Sequence, residues 1–84
     1  MYLTKVEVYE NPYEALKFFI GLCEWKGLNK IDISEQASHI ALTKGMEESV
    51  NFVISNLSTL DYKKYIESGK APDNWSDFIS KTDV

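Results

Sequence analysis

The residues best suited to chemistry in this chain are one cysteine, one histidine and two adjacent glutamates. Cys23 and His39 could act as a nucleophile and its general base, because an imidazole can accept the thiol proton. They are 16 residues apart, so only the tertiary fold could bring them together. Cys23 also falls on the apolar stripe of a predicted helix. We therefore interpret Cys23 as a core side chain and His39 as a surface histidine.

The adjacent carboxylates of Glu47 and Glu48 are the remaining candidates for acid–base chemistry. Neighbouring residues on a helix do not face each other, whereas acidic side chains in a first helical turn are stabilised by the helix dipole. One cysteine and one histidine are too few for a zinc site, and no phosphate-binding or dinucleotide-binding glycine motif occurs. The sequence predicts no catalytic residue, no metal and no cofactor, and hence a protein that is not an enzyme.

Composition limits the remaining function classes. The 84 residues are 44% hydrophobic and 13% aromatic, which predicts one folded domain over residues 1–84. Nine lysines, no arginine and thirteen acidic residues give a net charge of −4, so a nucleic-acid partner is not expected. No apolar run reaches the roughly 18 residues of a membrane span. The absence of a signal pattern, together with the single cysteine, favours the cytoplasm.

The first half of the chain predicts a strand and then a helix. In residues 2–9, one face would hold Tyr2, Thr4, Val6 and Val8, and the other would hold Lys5, Glu7 and Tyr9. This period of two with β-branched residues is typical of a half-buried strand. Asn11 can cap the following helix, and Pro12 suits its first position. The helix carries an apolar stripe and ends at Gly27.

Residues 30–44 have two interpretations. As a hairpin, Ile31 and Ile33 share one face of the first strand, and Ile40 and Leu42 share one face of the second. As a helix, the segment begins with a capping box and has favourable helix propensity. We favour the hairpin, because the strand at residues 2–9 needs hydrogen-bonding neighbours.

With helices predicted for residues 46–60 and 61–69, the element order is β-α-β-β-α. It predicts an α+β fold: a small three-stranded sheet with helices on one face and short C-terminal helices, a truncated ferredoxin-like arrangement. The alternative is a mostly α fold resembling a helix-turn-helix protein.

The abundance of aromatic residues suggests a protein-binding surface, because tryptophan and tyrosine dominate such sites. The uncovered sheet face is also a candidate contact in a homodimer. The predicted partner-binding residues are Tyr9, Trp25, Glu47, Glu48 and Trp75.

The stretches "MYLTKVEV", "NPYEAL" and "SHIALTKGMEESV" resemble the first ferredoxin-like domain of CRISPR-associated guide-RNA-processing endoribonucleases of the CasE type. The resemblance implies that the last stretch forms a third strand and the start of a second helix. It also implies a catalytic histidine at or beside Leu16, where this chain has none. Nuclease activity would then be lost, while competition for the partners of such a nuclease would remain.

Two functions follow. The first is a small, acidic, non-enzymatic protein that binds a basic surface of a host complex, as a phage or mobile-element inhibitor of host defence, similar to an anti-CRISPR protein. The alternative is a transcription regulator in which residues 34–50 form a helix-turn-helix. In that motif Ala37, Ile40 and Leu42 occupy apolar positions, whereas Glu47 falls where a buried aliphatic is expected.

Overall fold

The computed structural model describes residues 11–79, which contain four α-helices and one 3₁₀ helix. The α-helices are α1 (Pro12–Lys26), α2 (Lys30–Lys44), α3 (Met46–Ile54) and α4 (Thr59–Glu67), and the 3₁₀ helix spans Asp73–Asp77. No strand occurs in this part of the chain. The predicted α+β, ferredoxin-like fold with a three-stranded sheet is therefore wrong. The strand predicted for residues 2–9 lies outside the described residues.

Helix α1 begins and ends where the sequence predicts. The Asn11 side chain accepts hydrogen bonds from the backbone N–H groups of Tyr13 and Glu14, at 3.0 and 3.3 Å, and Pro12 occupies the first helical position. Gly27 closes the helix in the left-handed region, with φ of 104°, which glycine adopts without strain. These signals act within a few residues of each helix end, and the structure retains all three of them.

Helix α2 replaces the predicted hairpin of residues 30–44. The Asn29 side chain accepts a hydrogen bond from the Asp32 N–H at 3.1 Å and so caps the helix. A helix satisfies its interior backbone groups by itself and needs no neighbouring strand. Of the two interpretations left open by the sequence, the structure has the helical one, in agreement with local helix propensity.

Helices α2 and α3 are joined by a single residue, Gly45, with φ of 103° and ψ of 165°. The Ser49 hydroxyl is fully buried and donates a hydrogen bond to the Ala37 carbonyl oxygen at 2.6 Å. Since these residues lie on either side of the turn, α3 folds back along α2. The small side chains of Ala37 and Ser49 allow a close approach of the two helices.

A shared hydrophobic core lies between the helices. Helix α1 contributes the most buried apolar side chains to it. Helix α3 contributes Val50, Val53 and Ile54, and Leu57 joins them from the segment that follows α3. Helix α2 adds only two buried apolar side chains, Ile33 and Ala37. Helix α4 begins at Thr59, earlier than predicted. Its N-cap is Ser58, and Asp61, the third helical residue, completes the capping box.

Candidate protein-binding surfaces

An aromatic cluster connects α1, α4 and the residues that follow the 3₁₀ helix. Phe18 stacks on Phe78 with ring centroids 4.8 Å apart and meets Phe19 edge to face at 5.2 Å. Phe19 in turn contacts Tyr62 at 6.3 Å. Such ring pairs contribute about 0.5–1.5 kcal/mol beyond their buried area. The cluster thus holds the C-terminal segment against α1.

Trp25 extends this cluster to the surface. Its ring lies 5.1 Å from the ring of Tyr65, and 38% of the residue remains exposed. Burial raises the pKa of the Tyr65 phenol above its ordinary value. Trp25 is therefore a partly exposed aromatic residue supported by a buried ring. Its role in partner binding stays a prediction.

Next to Trp25 along the chain, a partly exposed ion pair joins α1 to α4. The Lys26 ammonium contacts the Asp61 carboxylate at 2.8 Å and also donates to the Asn56 carbonyl at 2.9 Å. Asp61 further accepts hydrogen bonds from the backbone N–H and the hydroxyl of Ser58, at 2.8 and 3.0 Å. Burial alone would raise the pKa of Asp61, but the hydrogen bonds from Lys26 and Ser58 outweigh it and hold the pKa below the ordinary aspartate value.

Glu47 and Glu48 lie in the first turn of α3 and are exposed. Within residues 11–79 neither forms an ion pair. By contrast, Glu14 and Glu24 lie within 4.0 Å of lysine ammonium groups. Glu47 and Glu48 follow the end of α2, whereas Trp25 precedes its start. Because α2 has 15 residues and is about 22 Å long, the predicted binding residues are split between its two ends.

Of the other predicted binding residues, Trp75 is half-buried and packs against the core. Its carbonyl accepts hydrogen bonds from the N–H groups of Phe78 and Ile79, each at 3.0 Å. These contacts give Trp75 a structural role in closing the C-terminal segment. Tyr9 lies outside the described residues.

Cys23 and His39 are placed in different environments. Cys23 is fully buried, and burial raises the pKa of its thiol to about 11. His39 is on the exposed side of α2. The structure therefore does not bring them together as a nucleophile and base. In residues 11–79, no group of three His, Cys, Asp or Glu side chains is arranged to hold a metal ion.

A shallow pocket of about 210 Å³ lies between α1 and the 3₁₀ helix. This volume is below the roughly 300 Å³ at which small-molecule sites begin. The pocket is lined by Glu14, Lys17, Phe18, Pro72, Asn74 and Phe78.

The most exposed large apolar side chains of α2 were not predicted as a surface. Leu42 is 88% exposed and Ile31 is 69% exposed. The hairpin interpretation placed both on sheet faces. Read as a helix, the same residues lie opposite the buried pair Ile33 and Ala37, because α-helical side chains repeat every 3.6 residues. A helical-wheel projection of residues 30–44 identifies Ile31 and Leu42 as exposed side chains.

In comparisons with known proteins, the chain matches no protein-family model, and no curated protein or solved structure is significantly similar to it. Among the helices of residues 11–79, none is both long enough and apolar enough to cross a membrane.

Proposed function

We propose that this chain is a small acidic protein-binding protein without catalytic activity, and that its partner presents a basic surface. The observation that carries the proposal is the pair Glu47 and Glu48, which are adjacent, exposed and without an ion pair in residues 11–79. The net charge of −4 has the same sign as this pair. Complementary charge accelerates association and excludes partners of the wrong sign.

Trp25 supplies the apolar part of the proposed binding surface. Tryptophan is enriched among the residues that dominate binding energy, and it is most effective when its orientation is fixed before binding. The contact with Tyr65 limits the orientations of the Trp25 ring. Since Trp25 and the two glutamates lie at opposite ends of α2, the partner would need to span that helix.

We further propose that the partner is a host defence complex and that the chain acts as a phage or mobile-element inhibitor. The support is the small size, the acidic charge and the resemblance of the N-terminal half to guide-RNA-processing endoribonucleases, with no histidine at or beside Leu16. Leu16 lies on α1 and is buried in the hydrophobic core. Because α2 replaces the third strand that the resemblance implies, we attribute inhibition to surface charge and not to a ferredoxin-like shape.

An affinity pull-down from bacterial host lysate tests the binding proposal. The tagged wild-type chain is expected to retain a stoichiometric protein partner, and the Glu47→Lys, Glu48→Lys double variant is expected to lose it. The Asp73→Lys, Asp77→Lys double variant makes the same change in net charge at another exposed pair and should retain the partner. Recovery of no stoichiometric partner, or equal loss with both variants, would count against the proposal.

Phage plating tests the inhibitor proposal separately. Expression of the chain in a bacterium with an active CRISPR defence is expected to raise the plating efficiency of a targeted phage. Expression in the same strain without the defence genes should leave plating unchanged. An unchanged plating efficiency in the defended strain, with the protein present at detectable levels, would argue against inhibition of that defence.

A transcription regulator is the second candidate, because residues 30–44 are helical and are followed directly by α3. Two features disfavour it. Gly45 is the only residue between the helices, whereas a helix-turn-helix has a turn of three to four residues. Glu47 and Glu48 would also approach phosphate groups with the wrong charge. A gel shift showing salt-dependent binding of duplex DNA would favour this second candidate.

A further inference from the structure

Gly45 separates α2 from α3 by interrupting what would otherwise be a single helix. Its φ of 103° and ψ of 165° form a backbone conformation that is essentially restricted to glycine. Helical hydrogen bonding reaches this residue from both sides. The Gly45 N–H donates to the Ala41 carbonyl at 3.2 Å, and the Gly45 carbonyl accepts from the Ser49 N–H at 3.2 Å. Rotation about the backbone bonds of Gly45 would therefore connect the two helices.

The turn at Gly45 leaves helix-terminal groups that a continuous helix would pair. The first N–H groups of a helix have no partner within that helix, and among residues 11–79 no side chain caps α3. In a helix that runs through position 45, the N–H groups of residues 46–48 would donate to the carbonyl oxygens of residues 42–44. These six residues include no proline and no further glycine. The break between the helices therefore depends on Gly45 alone.

A continuous helix could not bury both of its apolar faces within one chain. Ala37 and Val53 lie on either side of the turn, and both are fully buried in the core. They are 16 residues apart, so on one straight helix they would point about 160° apart. In the closed chain, α3 folds back and both faces meet the same core. An opened chain would expose one of them, and a second copy would be needed to cover it.

We propose that Gly45 is a hinge, and that its opening lets two copies of the chain exchange α3, α4 and the 3₁₀ helix to form a dimer. Each exposed face is then covered by the same element that covers it in the closed chain, supplied by the other copy. The Ser49 hydroxyl of one copy would donate to the Ala37 carbonyl of the other, and Asp61 would pair with Lys26 of the other copy. Short hinge connections favour exchange of this kind.

Gly45→Ala tests the hinge. Alanine is strained in the closed turn but relaxed in a helix, so each hinge should favour the open form by roughly tenfold. Because a dimer has two hinges, its dissociation constant should fall on the order of 100-fold relative to the wild type. A Cβ built at position 45 meets no atom within 4 Å, so the strain comes from the backbone. Each protein is refolded from urea at about 10 μM to 1 mM, and light scattering after size-exclusion chromatography gives its mass.

Gly27→Ala is the matched control. Gly27 also has a positive φ, of 104°, and a Cβ built there also meets no atom within 4 Å. Its connection differs, because Leu28 lies between α1 and α2 and packs against the core. Merging α1 with α2 would remove that contact, so Gly27→Ala should lose stability but assemble like the wild type. In a second variant, two glycines inserted after Gly45 lengthen the turn and should keep the chain monomeric at every concentration.

Charge complementation distinguishes exchange from association through an outer surface. Lys26→Asp and Asp61→Lys each replace the ion pair between α1 and α4 with two like charges. In an exchanged dimer with one copy of each variant, one interface holds the native pair and the other holds the reversed pair. Both substitutions are made separately in the Gly45→Ala chain, with tags of different mass, and the two proteins are refolded together. The mixed dimer should exceed either same-variant dimer by at least about tenfold.

Three results would overturn the proposal. A Gly45→Ala chain that stays monomeric or unfolded at about 1 mM would show that the opened copies do not form a stable pair. Equal dimerisation of Gly45→Ala and Gly27→Ala would attribute the dimer to lost stability and not to the hinge. Mixed and same-variant dimers in statistical proportion would show that the copies associate without exchanging helices.

Discussion

Replacing Asp61 with alanine tests how strongly the ion pair between α1 and α4 stabilises the protein. The substitution removes the acceptor of the Lys26 ammonium, 2.8 Å away, and of two hydrogen bonds from Ser58. The Asp61 side chain is only 17% exposed, so solvent screens these contacts weakly. The capping-box carboxylate would be lost together with the cross-helix pair.

The expected cost of Asp61→Ala follows from these two contributions. The hydrogen bond from the Ser58 N–H to the capping-box carboxylate contributes about 0.5–1.5 kcal/mol, and the charge-assisted hydrogen bond from Lys26 contributes about 1.5–3 kcal/mol. Because Lys26 is partly exposed and can re-solvate, we expect a combined loss of about 2–3 kcal/mol. For a domain of this size, that loss lowers the melting temperature by roughly 10–20 °C. The variant should still fold, since a chain of 84 residues has a free energy of unfolding of about 4–13 kcal/mol.

The effect of Asp61→Ala should depend on pH. Burial opposes ionisation of Asp61, but the bonds from Lys26 and Ser58 outweigh it and lower its pKa below the ordinary aspartate value. A group whose pKa is lower in the folded state stabilises the protein above its unfolded pKa, about 3.9 for aspartate, and this contribution is lost at lower pH. The gap between wild type and variant is therefore constant from pH 7 to 5 and narrows below about pH 4.

Urea unfolding followed by circular dichroism, at pH 7, 5 and 3, measures this gap. Glu67→Ala is the control, because it removes one exposed carboxylate from the same helix and is expected to change the free energy of unfolding by less than about 0.5 kcal/mol. The reasoning is refuted if Asp61→Ala also stays within that limit. It is refuted equally if the gap keeps its full size at pH 3.

Two further predictions concern the buried polar side chains. Ser49→Ala should cost about 1 kcal/mol, because the hydrogen bond to the Ala37 carbonyl is lost, and Ser49→Leu should cost at least about 1–3 kcal/mol by forcing α2 and α3 apart. Thermal melts that rank the two variants in the opposite order would contradict this account of the helix contact. Native Cys23 should react with a thiol-specific disulfide reagent only as fast as the protein unfolds, since burial keeps its thiol protonated at pH 8 with a pKa of about 11. In Ser38→Cys, by contrast, the new thiol is exposed and should react immediately; equally rapid labelling of Cys23 would show that the core around α1 is open.

The parts of the fold that sequence reasoning predicted correctly depend on local signals. Asn11, Pro12 and Gly27 determine the ends of α1 through bonds within a few residues. The α2 error had a non-local cause. The hairpin was favoured because a strand at residues 2–9 would need neighbours, and that argument outweighed the local propensity of residues 30–44. The Asn29 cap is a local signal for the helix.

The predicted binding residues depend on more than local signals. Trp25, Glu47 and Glu48 are exposed and lie on helices that the sequence predicts, and their role in binding stays a prediction. The half-buried position of Trp75 depends on how the C-terminal segment packs on the core, which local sequence does not specify. Leu42 was missed for a related reason, since its direction depends on whether its segment is a strand or a helix.

The ambiguity of residues 30–44 and the exposure of Ile31 and Leu42 have one physical cause. At 3.6 residues per turn, the spacing of the large apolar side chains in this segment places Ile31 and Leu42 on the side of the helix opposite Ile33. In a hairpin, Ile31 and Ile33 would share one face of the first strand, and Ile40 and Leu42 would share one face of the second. The same residues are therefore compatible with the hairpin interpretation. In the helix, Ile33 and Ala37 fill the core-facing positions and leave Ile31 and Leu42 in solvent. Since these two side chains lie mostly outside the core, replacing both with aspartate should change the free energy of unfolding, measured by urea unfolding, by less than about 1 kcal/mol. Stability would then depend on the opposite face of the helix, at Ile33 and Ala37.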